Sequence, residues 1–426
     1  MKDSVFLNVT RFEDALSQLR KITHPIQEIE TVLLKESLNR VLSLDIKSPI
    51  NVPHFVRSAR DGYALIAADT FGANEYNPVI LRLAGEVYIG TVPNLELLKG
   101  ECAKISTGAM IPKGADSITM IEYAEEIAGQ VKVHRPAAPG ENVIRIGTDI
   151  RSGQVVLKSG KRLTVFDSGV LSSIGLTQVT VYRKPKVAIM STGNELLSAG
   201  RPLEAGKVYD ANSITIYQAV VESGGIPIDF GILPDSFTHI SDIVKRASHS
   251  SDVVLISGGT SKGPGDLMPA VIQHIGEPDL YLHGIAMKPG KPTILSSIGG
   301  KFILTLPGYP TSTLIVYYAL VDPLIRVMAR EPPYKYRKVE AYASTRIYSE
   351  IGRKEFKPCR ISRNDEKRIY VEPMLTGSES LTTLAYSDGF IIIPEEVEFI
   401  DQDEKVELYV FPHAQERIHQ TLGEQI

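Results

Sequence analysis

Four loops in the second half of the chain combine glycines, hydroxyls and cations in a way that suits an anionic ligand. The apolar run at 186–190 leads into Ser191-Thr192-Gly193-Asn194-Glu195, and the run at 252–257 leads into Gly258-Gly259-Thr260-Ser261-Lys262-Gly263-Pro264-Gly265-Asp266. A strand passing through glycines and hydroxyls into a helix start presents backbone N–H groups and a positive dipole end, the surroundings phosphate needs. Met287-Lys288-Pro289-Gly290-Lys291-Pro292 places two ammonium groups around a stiff turn, which suits pyrophosphate or a phosphate monoester. Leu306-Pro307-Gly308-Tyr309-Pro310 turns tightly into a long apolar helix. Any one of these is more often a plain turn or a solvated surface loop than a site; four in succession along one sheet edge favour anion binding. No Walker A or GxGxxG pattern occurs, so neither a P-loop nor a Rossmann dinucleotide site is indicated.

The first half offers a second set. Ser58-Ala-Arg-Asp61-Gly-Tyr-Ala64 puts a carboxylate in a turn beside a cation, and Ile105-Ser-Thr107-Gly-Ala-Met-Ile-Pro112 ends a strand in hydroxyls. In the run 140–150, Arg145 can grip an oxyanion and Asp149 can ligate a hard cation such as Mg²⁺; a salt-bridged linker explains the same residues equally well.

The elements that must position these loops follow from patterning. Residues 12–22 have helical apolar spacing behind a capping-box pattern at Thr10–Glu13, a short strand is expected at 28–34 and a helical turn at 38–42. From about 51 to 141, short β-rich runs separated by glycine, proline and asparagine turns predict a small β domain. Between 185 and 330, apolar runs alternate with helices at 213–222, 240–247 and 313–328, the pattern of βαβ units on a largely parallel sheet. Residues 331–338 read as a proline-marked linker into a second compact β module, whose acids at 395–404 are expected to form a solvated edge.

Composition bounds the rest. With 46 Lys+Arg against 50 Asp+Glu the formal net charge is −4, which excludes most nucleic-acid binders. The nine histidines form no pair at metal-ligand spacing, so any metal is expected on oxygen ligands. Cys102 and Cys359 stand far apart and are expected to be reduced, structural thiols. The opening residues lack a signal-peptide pattern and no run approaches the roughly 18 apolar residues of a membrane span, so a cytoplasmic protein without membrane contact is expected.

Taken in order, RSARDGYA, ISTGAMIP, GENVIRIGTDI, STGNEL, YDAN, SGGTSKGPGD, KPGKP and LPGYP resemble the motif series of the molybdopterin molybdenumtransferases, the molybdenum insertase family that includes the E domain of gephyrin. The resemblance implies an elongated multidomain α/β plus β chain acting as a homodimer. It implies a discontinuous linker and dimer domain (25–50 and 142–180), an inserted β domain (51–141), a three-layer α/β molybdopterin-binding domain (1–24 and 181–330) and a C-terminal β-barrel (331–426). The implied reaction inserts molybdate into adenylylated molybdopterin with the help of Mg²⁺, releasing AMP and molybdenum cofactor, and an upstream adenylyltransferase becomes an expected partner. By position, Asp61 matches the acid that opens the adenylate, and Ser58, Thr107 and Arg145 lie where the molybdate oxyanion docks. Glu195, Asp210, Ser257, Gly258, Gly259, Ser261 and Asp266 match the pterin-phosphate loops, Lys288 and Lys291 the lysine pair, and Asp61 and Asp149 the metal site. Arg353 and Ser378 match barrel residues expected to serve the other copy of a dimer, far from the loops of their own chain.

The match has departures: Arg60 stands where methionine or lysine is common, Asn194 where aspartate is frequent, and Tyr309 where LPGNP is usual; Lys262-Gly-Pro-Gly265 also differs. A tungstate-handling or non-catalytic molybdopterin-binding paralogue, or a scaffold on the same fold, therefore stays open beside the insertase.

Overall fold

The structure, a computed structural model, describes residues 9–259, 267–364 and 368–422. The chain divides into two compact units, Ile29–Tyr182 and the combination of Met1–Glu28 with Arg183–Ile426.

In the unit Ile29–Tyr182, the strand Ile29–Leu33 pairs antiparallel with Gln178–Tyr182, and Ile46–Lys47 pairs with Val155–Leu157. Leu42, Leu163, Leu171 and Val181 are fully buried between them and the helix Val165–Ser173, which Thr164 and Asp167 cap reciprocally. The helical turn expected at 38–42 is absent. Val41 and Leu42 are extended, bridging Arg162 and Val181, and a turn of 3₁₀-helix lies earlier, at Leu34–Glu36. The rest of the unit holds a six-stranded sheet in the order Ser117–Met120, Gly62–Leu65, Glu101–Ile105, Val79–Val87, Gln130–Val133, Ala124–Ile127. Its two faces carry separate small cores, around Tyr63 and Leu81 on one and Ala64 and Ile118 on the other, as the two-residue side-chain period of a strand requires.

The second unit contains a six-stranded sheet in the order Ile226–Leu233, Lys186–Thr192, Val253–Ser257, Lys301–Leu306, Ile294–Ile298, Leu280–His283; the first four strands are parallel and the last two antiparallel. Along Lys186–Thr192, Val187 and Ile189 join the core shared with the helices Phe12–Ile22 and Asn212–Glu222, while Ala188 and Met190 face the helices Phe237–Ser250 and Met268–Ile275. Burial on both faces makes this a three-layer domain and explains the unbroken apolar runs. The strand Ile285–Lys288 stands outside that sheet, between Thr10–Arg11 and the head of Lys354–Arg363. Thr10 uses its backbone N–H on Gly284, so the expected capping box does not form: the helix is capped at Arg11 without a side-chain bond, and Glu13 instead pairs with Lys354. Phe12 packs edge-on against Phe356.

The remaining module is a closed five-stranded barrel. Lys354–Arg363, Ile369–Pro373, Arg337–Ala343, Lys405–Val410 and Gly389–Ile393 pair in that order, and the last returns to the first, which leaves no free edge among them.

Pro310–Met328 is long and apolar enough to cross a membrane by length and composition, the exception to the expectation that no run qualifies, but 72% of that window is buried within the protein. It is a core helix whose middle turn, Tyr317–Val321, is a π-helix. Beside that turn, Ser223 Oγ lies 2.9 Å from Tyr317 Oη and donates to Asp322 Oδ1 at 2.7 Å, and Arg326 Nε donates to both Asp322 oxygens.

Just before the strand Val253–Ser257, Asp252 accepts two hydrogen bonds from Arg183, one from the Lys186 amide and one from Lys301. Burial alone would raise its pKa, yet these partners hold it below the ordinary carboxylate value. A depressed folded-state pKa contributes stability that is present above the unfolded value of about 4 and lost as pH falls through the folded one. Asp252→Asn should cost about 2 kcal/mol at pH 7, less than a fully buried pair because Arg183 and Lys301 still reach water. Urea titrations at pH 7 and pH 3 check this: the gap between variant and parent should shrink at the lower pH.

Candidate functional site

Three of the glycine-rich loops end level with one another because of strand register. Ser191 lies opposite Ser257, and Ser257 opposite Leu306, in adjacent parallel strands, so their carboxyl ends open onto one edge, where open α/β sheets collect ligands. Asn212, at the start of its helix, stitches the loops together: its Nδ2 donates to Ser257 Oγ at 2.6 Å and to the Gly308 carbonyl at 2.8 Å. Gly258 is required by space, since at φ +94° a Cβ would sit 2.5 Å from the Thr192 carbonyl oxygen.

These loops surround a cavity of about 930 Å³ whose lining includes Glu195, Asp210, Ser257, Gly258 and Gly259. Ser261 and Asp266, assigned to the same loops by sequence, lie outside the described residues. Asp210 accepts from the Ser213 amide through Oδ1, while its Oδ2 is buried with no partner among the described residues. Thr192 Oγ1 and Asn212 Oδ1 are likewise buried with no partner among the described residues, and all three residues line the cavity. Buried polar atoms without partners are costly unless a ligand or water meets them. Asn194 and Asp235 clamp one another, each accepting the other's amide.

The lysine loop does not share that sheet edge. Lys288 ends the strand Ile285–Lys288, which pairs with the barrel strand and places Lys288 opposite Glu355. Gly290 is tight here: at φ +118° a Cβ would lie 2.4 Å from Val316 Cγ2. Lys288, Lys291, Arg353 and Ser378 line a second cavity, of about 390 Å³. The expectation that Arg353 and Ser378 lie far from the loops of their own chain is therefore corrected. The barrel reaches the loops through the Lys288–Glu355 pairing, and the Ser378 and Ser380 carbonyls accept from the Thr311 amide and hydroxyl. Glu355, 3% exposed, sits between Lys288 at 3.3 Å and Lys357 at 3.5 Å and also accepts from Ser349. It was missed because an acid in an alternating strand carries no site signal. Asn212 was visible only inside the YDAN motif, and Glu379, on the wall of the larger cavity, had no signal at all.

In the unit Ile29–Tyr182, the other sequence-assigned residues converge locally. Ser58 pairs with Val143, its carbonyl accepts from Gly108 and its amide donates to Ala109; Ala59 donates to Asn142. Asp61 Oδ1 accepts from the Thr107 amide at 2.8 Å. Segments carrying Ser58, Asp61, Thr107 and Arg145 are thus woven together. The Ser58 hydroxyl donates to the Arg60 carbonyl at 2.5 Å and is buried. Asp149 follows, its amide on the Val52 carbonyl. Among the described residues no three His, Cys, Asp or Glu side chains gather as a metal group. Both thiols are buried, and desolvation pushes each up to about 12, which makes them inert.

The chain matches family models along most of its length: the MoeA N-terminal region (domain I and II) over 10–175, the probable molybdopterin binding domain over 188–327 and the MoeA C-terminal region (domain IV) over 340–411. The molybdopterin molybdenumtransferase of Haemophilus influenzae is 33% identical over 402 residues, spanning 93% of this chain and 96% of the relative. This chain belongs to the molybdopterin molybdenumtransferase family. The molybdopterin molybdenumtransferase of Bacillus subtilis is 32% identical over 383 residues, spanning 88% of this chain and 89% of the relative. A crystal structure of the molybdopterin biosynthesis MoeA protein from Pyrococcus horikoshii superposes with a TM-score of 0.70 at 33% identity, covering 95% of this chain and all of the other. As a molybdopterin molybdenumtransferase, the protein is an enzyme of molybdenum cofactor biosynthesis.

The smaller cavity generates a direct expectation. Lys291→Ala and Arg353→Ala should each weaken pyrophosphate binding by roughly 10- to 100-fold, the worth of one charge-assisted hydrogen bond, and leave thermal unfolding nearly unchanged. Calorimetric titration measures it, and unchanged affinity in both variants would reduce the loop to a turn.

Proposed function

We propose that the protein inserts molybdate into adenylylated molybdopterin, releasing AMP and molybdenum cofactor. The observation that carries the reading is the adjoining pair of cavities in the second unit, one lined by Lys288, Lys291 and Arg353 and the other by the loops at Glu195, Asp210 and Ser257–Gly259. The first suits the phosphates and the second the pterin. Ser58, Thr107 and Arg145 are assigned to the molybdate oxyanion, and Asp61 to opening the adenylate. Phosphoryl cleavage needs positioning and charge neutralisation more than a covalent nucleophile, which agrees with two inert cysteines. Mg²⁺ is typically held by one or two carboxylates together with substrate phosphates. By the family resemblance Asp61 and Asp149 are assigned to hold it, and when bound it would offset phosphate charge. A homodimer, the upstream adenylyltransferase as a partner and a cytoplasmic location complete the reading, on the strength of the family resemblance. Light scattering near twice 46.7 kDa is the expected result for the dimer.

The central experiment incubates the protein with adenylylated molybdopterin, Mg²⁺ and either molybdate or tungstate and follows AMP release. Release with molybdate supports the insertase, preference for tungstate the tungstate-handling alternative, and binding without release a non-catalytic one. Asp61→Asn keeps the acceptor for the Thr107 amide but removes charge and basicity. Interactions made chiefly in the transition state lower turnover and spare binding. The variant should bind adenylylated molybdopterin about as well as the parent and release AMP at least ~100-fold more slowly. Abolished binding, or unaffected release, would remove Asp61 from the chemistry.

A further inference from the structure

The two cavities share a wall. Pro292, Pro307 and Tyr309 border both, and of these only Tyr309 carries an aromatic ring. Its backbone is held firmly: the carbonyl accepts from the Thr313 amide at 2.9 Å and the Thr313 hydroxyl at 3.0 Å, and Pro310 follows at the helix start. The residue is nevertheless 59% exposed. A fixed backbone that presents an uncovered ring at a partition is a preorganised surface for another flat ring.

The chambers on either side differ in charge. Lys288, Lys291, Arg353 and Lys357 against Glu355 make the smaller one cationic. Among the described residues the larger one has no lysine or arginine on its wall and carries Glu195, Asp210, Asp235 and Glu379. It also holds buried acceptors with no partner among the described residues, Asp210 Oδ2 and Asn212 Oδ1, which can only be satisfied by donors. A ligand that fits both chambers carries an anion at one end and N–H or amino donors at the other.

We propose that Tyr309 is a specificity-determining stacking platform, holding the flat, amino-bearing nitrogen heterocycle of a phosphorylated ligand at the partition. The phosphate then lies toward Lys288, Lys291 and Arg353, and the ring donors face Asp210 and Asn212. This rests on the functional reading above. That substrate contains two heterocycles of the required chemistry, a pterin and an adenine, and the experiment separates them.

Wild type, Tyr309→Phe and Tyr309→Ala are titrated calorimetrically with pyrophosphate, AMP and molybdopterin. Tyr309→Phe should match wild type throughout, because the ring face is kept. Tyr309→Ala should lose roughly 10-fold in affinity for the stacked heterocycle, the usual scale for removing one ring partner, with pyrophosphate unaffected. Loss confined to AMP identifies adenine as the ring, and loss confined to molybdopterin identifies the pterin. The chain has no tryptophan, so Tyr309→Trp installs a single reporter whose emission should be quenched saturably by that same heterocycle and not by pyrophosphate. If wild type binds the heterocycles while Tyr309→Ala binds them equally well and the Tyr309→Trp emission is unmoved, the platform is overturned; equal losses in the Phe and Ala variants overturn it too, by pointing to the hydroxyl. If wild type binds none of the three probes, the functional reading itself fails and the platform with it.

Discussion

A two-residue parallel ladder, Met287 opposite Lys354 and Lys288 opposite Glu355, joins the α/β layer to the barrel, and much of the site depends on it. Without that pairing the lysine loop would be a solvated turn, as its sequence alone suggests. With it, the loop faces Arg353 and a buried Glu355 that forms ion pairs with Lys288 and Lys357. One acid between two lysines limits their mutual repulsion and fixes where the cations point, and preorganised charge of this kind needs little rearrangement when an anion arrives.

The larger cavity is built by a different constraint, the level ends of parallel strands. Because Ser191, Ser257 and Leu306 share a register, the loops after them reach the same height, and Asn212 can bind two of them with one amide group. The chamber so formed is rich in acceptors, some with no partner of their own. Such atoms are retained at a cost to stability, which is the usual mark of a surface shaped for a ligand and not for folding.

Much of this was legible in the sequence, for reasons that can be named. Runs such as residues 186–190 are apolar on every position because both sheet faces are covered, and the loops after them are marked by glycines that backbone geometry demands, as at Gly258. The Thr10–Glu13 capping box was misread because local pattern cannot see that Thr10 is taken by a strand from residues 285–286. The placement of Arg353 and Ser378 failed for the same reason: what brings them to Lys288 is a long-range pairing, which neither periodicity nor motif order encodes. The helix at 313–328 was recognised, but its π turn, beside which Ser223 reaches Tyr317 and Asp322 from another helix, carries no mark in the local sequence.

The helix Phe12–Ile22 finds a ring partner and an ion-pair partner far along the chain, in Phe356 and Lys354, while Glu28 and Arg183 are hydrogen-bonded neighbours. Emerging from a ribosome, this amphipathic helix would be made long before Lys354 and Phe356, which complete its cover. The intervening Ile29–Tyr182 unit is complete in sequence long before that and, since domains generally fold as units during synthesis, can close on itself meanwhile. The apolar face of Phe12, Leu16 and Leu19 would then be open to nascent-chain chaperones until those later segments are made.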